Sequence, residues 1–241
     1  IASSIVYINP GHTVTVDGSA TADFINILNG ATLNGTANLT VNYDLTTFGT
    51  GRIAPTSGTW SITRNLTVAG TSASSSAAPL TIGGNLTINA ANTLTMSNTI
   101  SLAGNLTVHG TLAMGTNGLT LNGSGTTISG NLGASTITGS GTITITNNKT
   151  ITTGSNLTVG PVININPATL VTNQGTITHL NNLTGVNSAS SVWGNAANAV
   201  LNTTGDVLTT GTLLASSSPN TVNYNGSGAQ IVKGTTYNNL F

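Results

Sequence analysis

One tripeptide, Asn-Leu-Thr, recurs along the chain and constrains its fold more than any other feature of the sequence. Successive copies lie 20 to 27 residues apart, counting the degenerate copy at Asn131 that fills the one large gap. Repetition at this period is typical of solenoids, in which each coil buries its apolar face only against neighbouring coils. The copies begin at Asn38, Asn65, Asn85, Asn105, Asn156 and Asn182.

Within each repeat, apolar and polar residues alternate, as in Leu119–Leu121 and in residues 142–146. Alternation at period two indicates half-buried strands with aliphatic side chains inside and Thr or Asn outside. Turn dipeptides such as Asn29-Gly30 separate the strands. We therefore predict an all-β fold, a parallel β-helix (β-solenoid) with coils of about 20–27 residues. Right-handed crossover is the default for parallel strands, so we expect a right-handed solenoid.

An antiparallel sandwich of short strands is the alternative fold, and the identical sequences of several strands favour the ladders of a solenoid instead. We place the solenoid domain at residues 1–213. Residues 214–241 form a C-terminal strand unit, which either pairs with a neighbouring subunit or continues the solenoid. Residues 71–78 are predicted to be a projecting loop, residues 187–199 a loop or short helix, and residues 214–220 a linker.

Charge is nearly absent from this chain of 241 residues: charged residues make up 3% of it and the formal net charge is zero. Nucleic-acid binding and docking to anionic membranes both need clustered Lys and Arg, so we expect neither partner. The sequence contains no run of 18 apolar residues and no Cys. Membrane insertion by a helix, disulfides and thiolate chemistry are thereby excluded. A net charge near zero favours self-association.

Three acidic residues, Asp17, Asp23 and Asp44, form the only candidate for a catalytic cluster, because successive coils could stack them. A glycosidase needs two neighbouring carboxylates, one with a raised pKa, whereas Asp17-Gly18 is more simply a turn. We predict that the chain is not an enzyme and needs no cofactor. A single calcium ion near Asp17 or Asp23 is the alternative, since Asn and carbonyl oxygens could complete its ligands.

The three histidines, His12, His109 and His179, lie about three or more coils apart, too far to share a metal ion. We expect each to be an outward-facing strand or turn residue.

The two ends of the chain carry its most distinctive motifs, in residues 8–18 and 221–240. Together with the Gly-Asn-Leu-Thr-Ile/Val repeats, these ends resemble long secreted surface proteins of bacteria, especially of the Bacteroidetes. The resemblance is loose and compositional between the two ends. It implies export, surface display and a role in adhesion or fibre formation, and it names no ligand.

Both terminal segments, residues 1–8 and 236–241, are apolar and strand-like and carry no charge. We predict an extracellular structural protein, a subunit of a cell-surface filament or adhesin that assembles head-to-tail through these segments. A segment of a longer protein, whose neighbouring repeats complete the ends, is the alternative. The predicted assembly residues are Ile1, Ile5, Val6, Tyr7, Ile8, Tyr224, Tyr237, Leu240 and Phe241.

Two other functions stay open. An ice-binding protein would use outward threonines, and the candidate pairs do not recur at one fixed phase in every coil. A carbohydrate-binding or polysaccharide-processing β-helix would contact a surface glycan, usually through exposed aromatic residues, which are scarce here. Asn-x-Thr is also the glycosylation acceptor pattern, although the strand repeat itself accounts for it. The candidate threonine pairs are Thr13/Thr15, Thr93/Thr95, Thr142/Thr144 and Thr176/Thr178.

Overall fold

A computed structural model describes residues 4–69, 73–130, 135–186 and 188–241. In this part of the chain the fold is all-β and contains no helix, and parallel sheets stack into a β-solenoid of about 11 turns. The predicted fold class is therefore confirmed, whereas its right-handedness stays a prediction. The chain runs along a first, a second and a third face in turn and then begins the next coil.

The first face is one continuous parallel sheet of 11 strands. Its strands are β1 (Ile5–Ile8), β4 (Phe24–Ile27), β7 (Leu45–Thr47), β10 (Leu66–Val68), β13 (Leu86–Ile88), β16 (Leu106–Val108), β19 (Thr126–Gly130), β22 (Lys149–Ile151), β25 (Thr169–Asn173), β28 (Ser191–Asn195) and β30 (Thr212–Leu214).

The second face is divided into a sheet of three strands followed by a sheet of nine. The first sheet holds β2 (Thr13–Val16), β5 (Thr32–Gly35) and β8 (Arg52–Pro55). The second holds β11 (Ala73–Ser76), β14 (Thr93–Met96), β17 (Thr111–Ala113), β20 (Thr136–Thr138), β23 (Asn156–Val159), β26 (Thr176–His179), β29 (Val200–Thr203), β31 (Thr221–Tyr224) and β32 (Asn239–Leu240).

The third face is an uninterrupted parallel sheet of nine strands. These are β3 (Ala20–Ala22), β6 (Leu39–Val41), β9 (Trp60–Ile62), β12 (Leu80–Ile82), β15 (Ile100–Leu102), β18 (Leu119–Leu121), β21 (Thr142–Ile145), β24 (Val162–Ile165) and β27 (Leu183–Gly185).

Inward aliphatic side chains stack on one another from coil to coil and form the core. Leu66 pairs with Leu86 and Leu86 with Leu106, and all three are buried. On the third face Trp60 lies between Leu39 and Leu80 and is fully buried. Each coil contributes only one strand to each face. Its inward apolar residues are therefore shielded from water along the solenoid axis by the coils on either side.

Coil length differs from the spacing of the Asn-Leu-Thr copies. The paired residues Thr93 and Thr111 are 18 positions apart, and the next pair, Thr111 and Thr136, is 25 apart. Spacings of 26 and 27 arise because copies fall on different faces: Asn38 precedes a strand of the third face and Asn65 one of the first. The copies therefore do not all mark the same point of a coil, although the solenoid that they indicated is present.

The segments predicted to be irregular contribute strands to the stack. Within residues 71–78, Ala73–Ser76 is strand β11 and pairs with β14, whereas Thr71 and Ser72 lie outside the described residues. Within residues 187–199, Ser191–Asn195 is strand β28, which pairs with β25; the described part of this segment is not helical, and Asn187 lies outside it. Residues 214–241 continue the solenoid, since β31 pairs with β29 and β32 with β31.

Asparagine side chains tie successive coils together at the corner between the third and first faces. Asn85 Oδ1 accepts a hydrogen bond of 2.9 Å from the backbone N–H of Asn105, and Asn65 Oδ1 accepts one of the same length from Asn85. Asp44 begins this ladder by accepting from Asn65, and the N–H of Thr127 ends it by donating to Asn105 Oδ1. Each side chain thus satisfies a backbone donor that the corner leaves outside the sheet.

Removing one Asn side chain of this ladder should lower the stability more than removing a nearby side chain that is not part of the ladder. We expect Asn85→Ala to lower the free energy of unfolding by about 1–2 kcal/mol, because the Asn105 N–H loses its acceptor. Asn85→Asp keeps an acceptor oxygen and should recover most of the loss. Thr87→Ala, on the same strand and outward-facing, should change stability by less than about 0.5 kcal/mol. Urea unfolding followed by circular dichroism measures all three, and equal losses for Asn85→Ala and Thr87→Ala would contradict the ladder.

Candidate assembly site at the ends of the solenoid

The first coil, formed by β1, β2 and β3, is paired on one side only in the described part of the chain. Its inward residues Val6, Val14 and Ala20 stand in register with residues that are buried one coil further along. Val6 is nevertheless 38% exposed and Val14 40% exposed. The apolar core therefore opens to solvent here, beside unpaired strand edges that can template pairing with another chain. We call Val6, Val14 and Ala20 the open end.

The predicted assembly residues of the first strand separate into three environments. Val6 belongs to the open end, whereas Ile8 is buried in the core. Ile5 and Tyr7 point away from the core and are 50% and 59% exposed. Ile1 lies outside the described residues. Sequence analysis missed Val14 and Ala20, although the alternation in Thr13–Val16 marks Val14 as an inward residue.

At the other end of the stack, the predicted assembly residues Tyr224 and Tyr237 are half-buried and contact each other. Their hydroxyls lie 3.1 Å apart, and both rings pack against the core. The Tyr237 hydroxyl donates to the Lys233 carbonyl at 2.6 Å, and the Lys233 N–H donates to the Tyr224 hydroxyl. Burial, and then the hydrogen bond with Tyr224, raise the pKa of Tyr237. This network fixes the chain on either side of residues 225–236.

Residues 225–236 are held against the preceding coil by polar contacts. Gln230 Nε2 donates to the carbonyls of Thr203 and Gly205, at 3.2 and 3.0 Å. The Ile231 N–H donates to Asp206 Oδ1 at 2.9 Å. Ile231 itself is 63% exposed. This segment closes part of the last coil: the Thr235 hydroxyl donates to the Leu213 carbonyl at 2.9 Å, and Leu213 is 1% exposed.

Leu240 and Phe241 are the exposed apolar residues of the last strand. Leu240 pairs with Val222, which is fully buried and pairs in turn with Leu201, so Leu240 ends an inward aliphatic column. It is 43% exposed, and Phe241 is 76% exposed. The last coil thus resembles the open end in presenting an inward-facing side chain that no further coil covers in the described structure.

The acidic residues considered from the sequence, Asp17, Asp23 and Asp44, differ in their hydrogen-bond partners. Asp23 Oδ1 accepts from Asn42 Nδ2 at 2.8 Å and Oδ2 from the Ser4 N–H at 2.7 Å. These bonds, with that of Asn42 the larger cause, lower the pKa of Asp23. Asp44 lies in the asparagine ladder, and Asp17 is exposed. Within the described ranges no three His, Cys, Asp or Glu side chains are placed to hold a metal ion.

The tryptophans and one tyrosine offer no free ring face to a ligand. Trp60 and Trp193 are buried in the core. Tyr43 stacks on Phe24 with ring centroids 4.8 Å apart, and the Arg64 guanidinium lies 5.9 Å from the Tyr43 centroid. Stacking and cation–π contacts therefore use the ring of Tyr43 within the protein.

Two titratable side chains face inward, against the expectation from their residue types. His179 was predicted to face outward, and this is wrong: it pairs with Val159 and Thr203 in an inward column and is 1% exposed. Its Nε2 lies 2.9 Å from the Pro161 carbonyl, and its Nδ1 has no partner. Burial lowers the pKa of His179 to about 4, against a smaller opposing effect of the bond to Pro161. His12 is exposed and His109 half-buried.

Lys149 is the second inward side chain and is 2% exposed. Its Nζ donates to the backbone carbonyls of Gly123, Asn147 and Asn148. Burial lowers the pKa of this amine. Sequence analysis counted Lys149 among the scattered bases, because a single lysine gives no signal of the face it will occupy.

No family model, curated protein or solved structure matches the chain. A search of the described residues finds no helix that is long and apolar enough to cross a membrane.

His179 should make the protein sensitive to mild acid. Its pKa is about 4 in the folded state against 6.5 for an ordinary histidine, so the unfolded chain binds more protons between these values. Stability is retained above about pH 6.5 and decreases as the pH falls to about 4, by a total on the order of 3 kcal/mol. Urea unfolding at a series of pH values measures the effect.

Two variants assign this pH dependence to the buried ring. His179→Val, which matches the paired Val159, should remove most of the loss between pH 6.5 and 4. His12→Gln removes an exposed histidine and should leave the loss unchanged. An unchanged pH dependence in His179→Val would contradict the role given to His179.

Proposed function

We propose that the chain is an extracellular structural protein, a subunit of a cell-surface filament or adhesin, whose solenoids assemble head-to-tail. The observation that carries the proposal is the open end, where Val6, Val14 and Ala20 continue three buried columns and no further coil among the described residues covers them. Leu240 gives the last coil a matching uncovered column. The assembly subunit is a rod with no catalytic role.

Contact between two such ends would satisfy two physical requirements at once. Apolar side chains at each end would be removed from water, at roughly 25 cal/mol per Å² of apolar surface buried. The unpaired strand edges would gain main-chain hydrogen bonds, as when a peptide strand adds to a sheet. Because the two ends are different surfaces, their contact is heterologous and repeats without closing, which gives a filament.

Charge opposes this contact only weakly. The first coil carries Asp17 and Asp23, and Asp206 and Lys233 lie near the last. Charged residues make up 3% of the whole chain. A chain rich in Thr, Asn and Gly, with few charged residues and no Cys, suits an exported rod, and the resemblance of the repeats to secreted bacterial surface proteins supports export.

Negative-stain electron microscopy of the purified chain over a range of concentrations tests the proposal. We expect single rods in dilute samples and end-to-end filaments in concentrated ones. Val14→Asp should abolish the filaments, because it places a carboxylate in the open end. Thr15→Asp, the next residue of β2 and outward-facing, adds the same charge away from the contact and should still form filaments. Circular dichroism checks that both variants fold.

A mixing experiment tests the direction of assembly. A Val14→Asp subunit keeps an intact last coil, so in head-to-tail assembly it should add to the open end of a wild-type filament and stop growth there. A small fraction of Val14→Asp protein should then shorten wild-type filaments, whereas Thr15→Asp protein should not. Wild-type protein that stays as single rods at every concentration, or Val14→Asp filaments of normal length, would contradict the proposal.

A further inference from the structure

The third face carries an outward column of nine polar side chains in register, eight of which bear a hydroxyl. Every strand from β3 to β27 contributes the middle residue of its three-residue core, and the pairing places these residues in register. We call this set the hydroxyl column. Its members are Thr21, Thr40, Ser61, Thr81, Ser101, Thr120, Thr144, Asn164 and Thr184.

This regularity was not visible in the sequence. Only Thr144 belongs to the threonine pairs considered there, and those pairs change phase from coil to coil. The pairing brings residues from strands of different sequence to one line, for example Ser61 beside Thr81 and Thr120 beside Thr144. Neighbouring strands lie about 4.7–4.9 Å apart, so the column repeats at that interval over roughly 38 Å.

Most of these hydroxyls are free for an external partner. Ser101 accepts a bond from Asn122 at 3.1 Å, and Thr184 donates to the carbonyl of Ile163 at 3.2 Å. Five other side-chain hydroxyls have no hydrogen-bond partner within the described part of the chain. They belong to Thr40, Ser61, Thr81, Thr120 and Thr144.

The other two faces carry shorter rows of hydroxyls in register. The row of the first face is Thr46, Thr67, Thr87, Thr107 and Ser129, and the hydroxyls of its last two members lie 3.1 Å apart. The row of the second face is Thr93, Thr111, Thr136, Thr158 and Thr178, and its hydroxyls of Thr111 and Thr136 bond each other at 3.1 Å. The hydroxyl column, in which eight of nine rungs carry a hydroxyl, is thus the longest of the three rows in the described part of the chain.

We propose that the hydroxyl column is a binding surface for ice. A hydroxyl group donates and accepts, so waters bridging neighbouring rungs would repeat at the spacing of the strands. Water molecules in ice also repeat at fixed distances, whereas those in liquid water do not. The column contains no charged residue, so no rung imposes the radial hydration of an ion. Side-chain ladders and stacking support flat sheets of many strands, and the buried core behind each strand holds the rungs in place.

Threonine suits this role better than other polar residues. Its β-branched side chain has few rotamers, so the hydroxyl and methyl positions are fixed by the strand. Six of the nine rungs are Thr. The expected ligand is therefore crystalline water, bound along the length of the rod and independent of the assembly at its ends.

Thermal hysteresis and inhibition of ice recrystallisation test the proposal. The measurements are made in the Val14→Asp background, and on the wild-type chain, so that filament formation does not decide the result. We expect a measurable freezing-point gap, reduced at least several-fold by Thr81→Tyr and by Thr120→Tyr, which raise a ring above the column. Ala54→Tyr raises the same ring from an outward position of β8, in register with Asn34 and outside the hydroxyl rows, and should leave the gap intact.

Three outcomes would overturn the proposal. These are the lack of a freezing-point gap in both backgrounds, an equal loss with Ala54→Tyr, and binding to insoluble cellulose or chitin that Thr81→Tyr abolishes while ice is unaffected. The last would assign the column to a polysaccharide. Circular dichroism melts confirm that each Tyr variant folds, and Thr81→Ser and Thr120→Ser, which keep the hydroxyl, should retain most of the activity.

Discussion

The stacking of inward aliphatic residues from coil to coil is the interaction on which the rest of the structure depends. Leu66, Leu86 and Leu106 are buried because each lies between equivalent residues of adjacent coils. No coil has a second layer of its own to cover these residues. Stability therefore grows by neighbour contacts along the rod, and it is weakest in a coil that has no neighbour among the described residues. The exposure of Val6 and Val14 is the direct consequence of this constraint.

Polar groups in the solenoid are arranged so that the stack can continue. The side-chain oxygens of Asn65, Asn85 and Asn105 each accept a hydrogen bond from a backbone N–H of the following coil. The remaining outward positions are then free to differ between faces. The hydroxyl column of the third face runs along the length of the rod, and the open end lies across one end of it.

The fold was predictable from the sequence because it rests on pattern. Period-two alternation and internal repetition indicated short parallel strands before any contact was known. The face on which each repeat lies was not predictable. Asn38 and Asn65 begin the same sequence, Asn-Leu-Thr-Val, and yet they precede strands of different faces. Ala73–Ser76 has no large apolar residue, so its pairing with β14 is set by the neighbouring coil and not by its own composition.

The candidate site was predictable only in part, for a related reason. Val6 and Leu240 were identified because they lie in apolar terminal segments, whereas Val14 and Ala20 join them only when the first coil closes. The sequence also indicates Tyr224 and Tyr237 as end residues, but it gives no sign of the hydrogen bond that joins their hydroxyls. His179 and Lys149 show the limit of residue type as a guide, since register alone turned them inward.

Hydrogen–deuterium exchange followed by mass spectrometry, as a function of protein concentration, tests the central claim most directly. If the first coil lacks only a neighbour, backbone amides of Ile5–Ile8, Thr13–Val16 and Ala20–Ala22 should exchange fast in dilute protein and become protected in concentrated protein. Amides of the central strands Leu86–Ile88 and Leu106–Val108 should be protected at every concentration. Protection of the first coil that is independent of concentration would contradict the account.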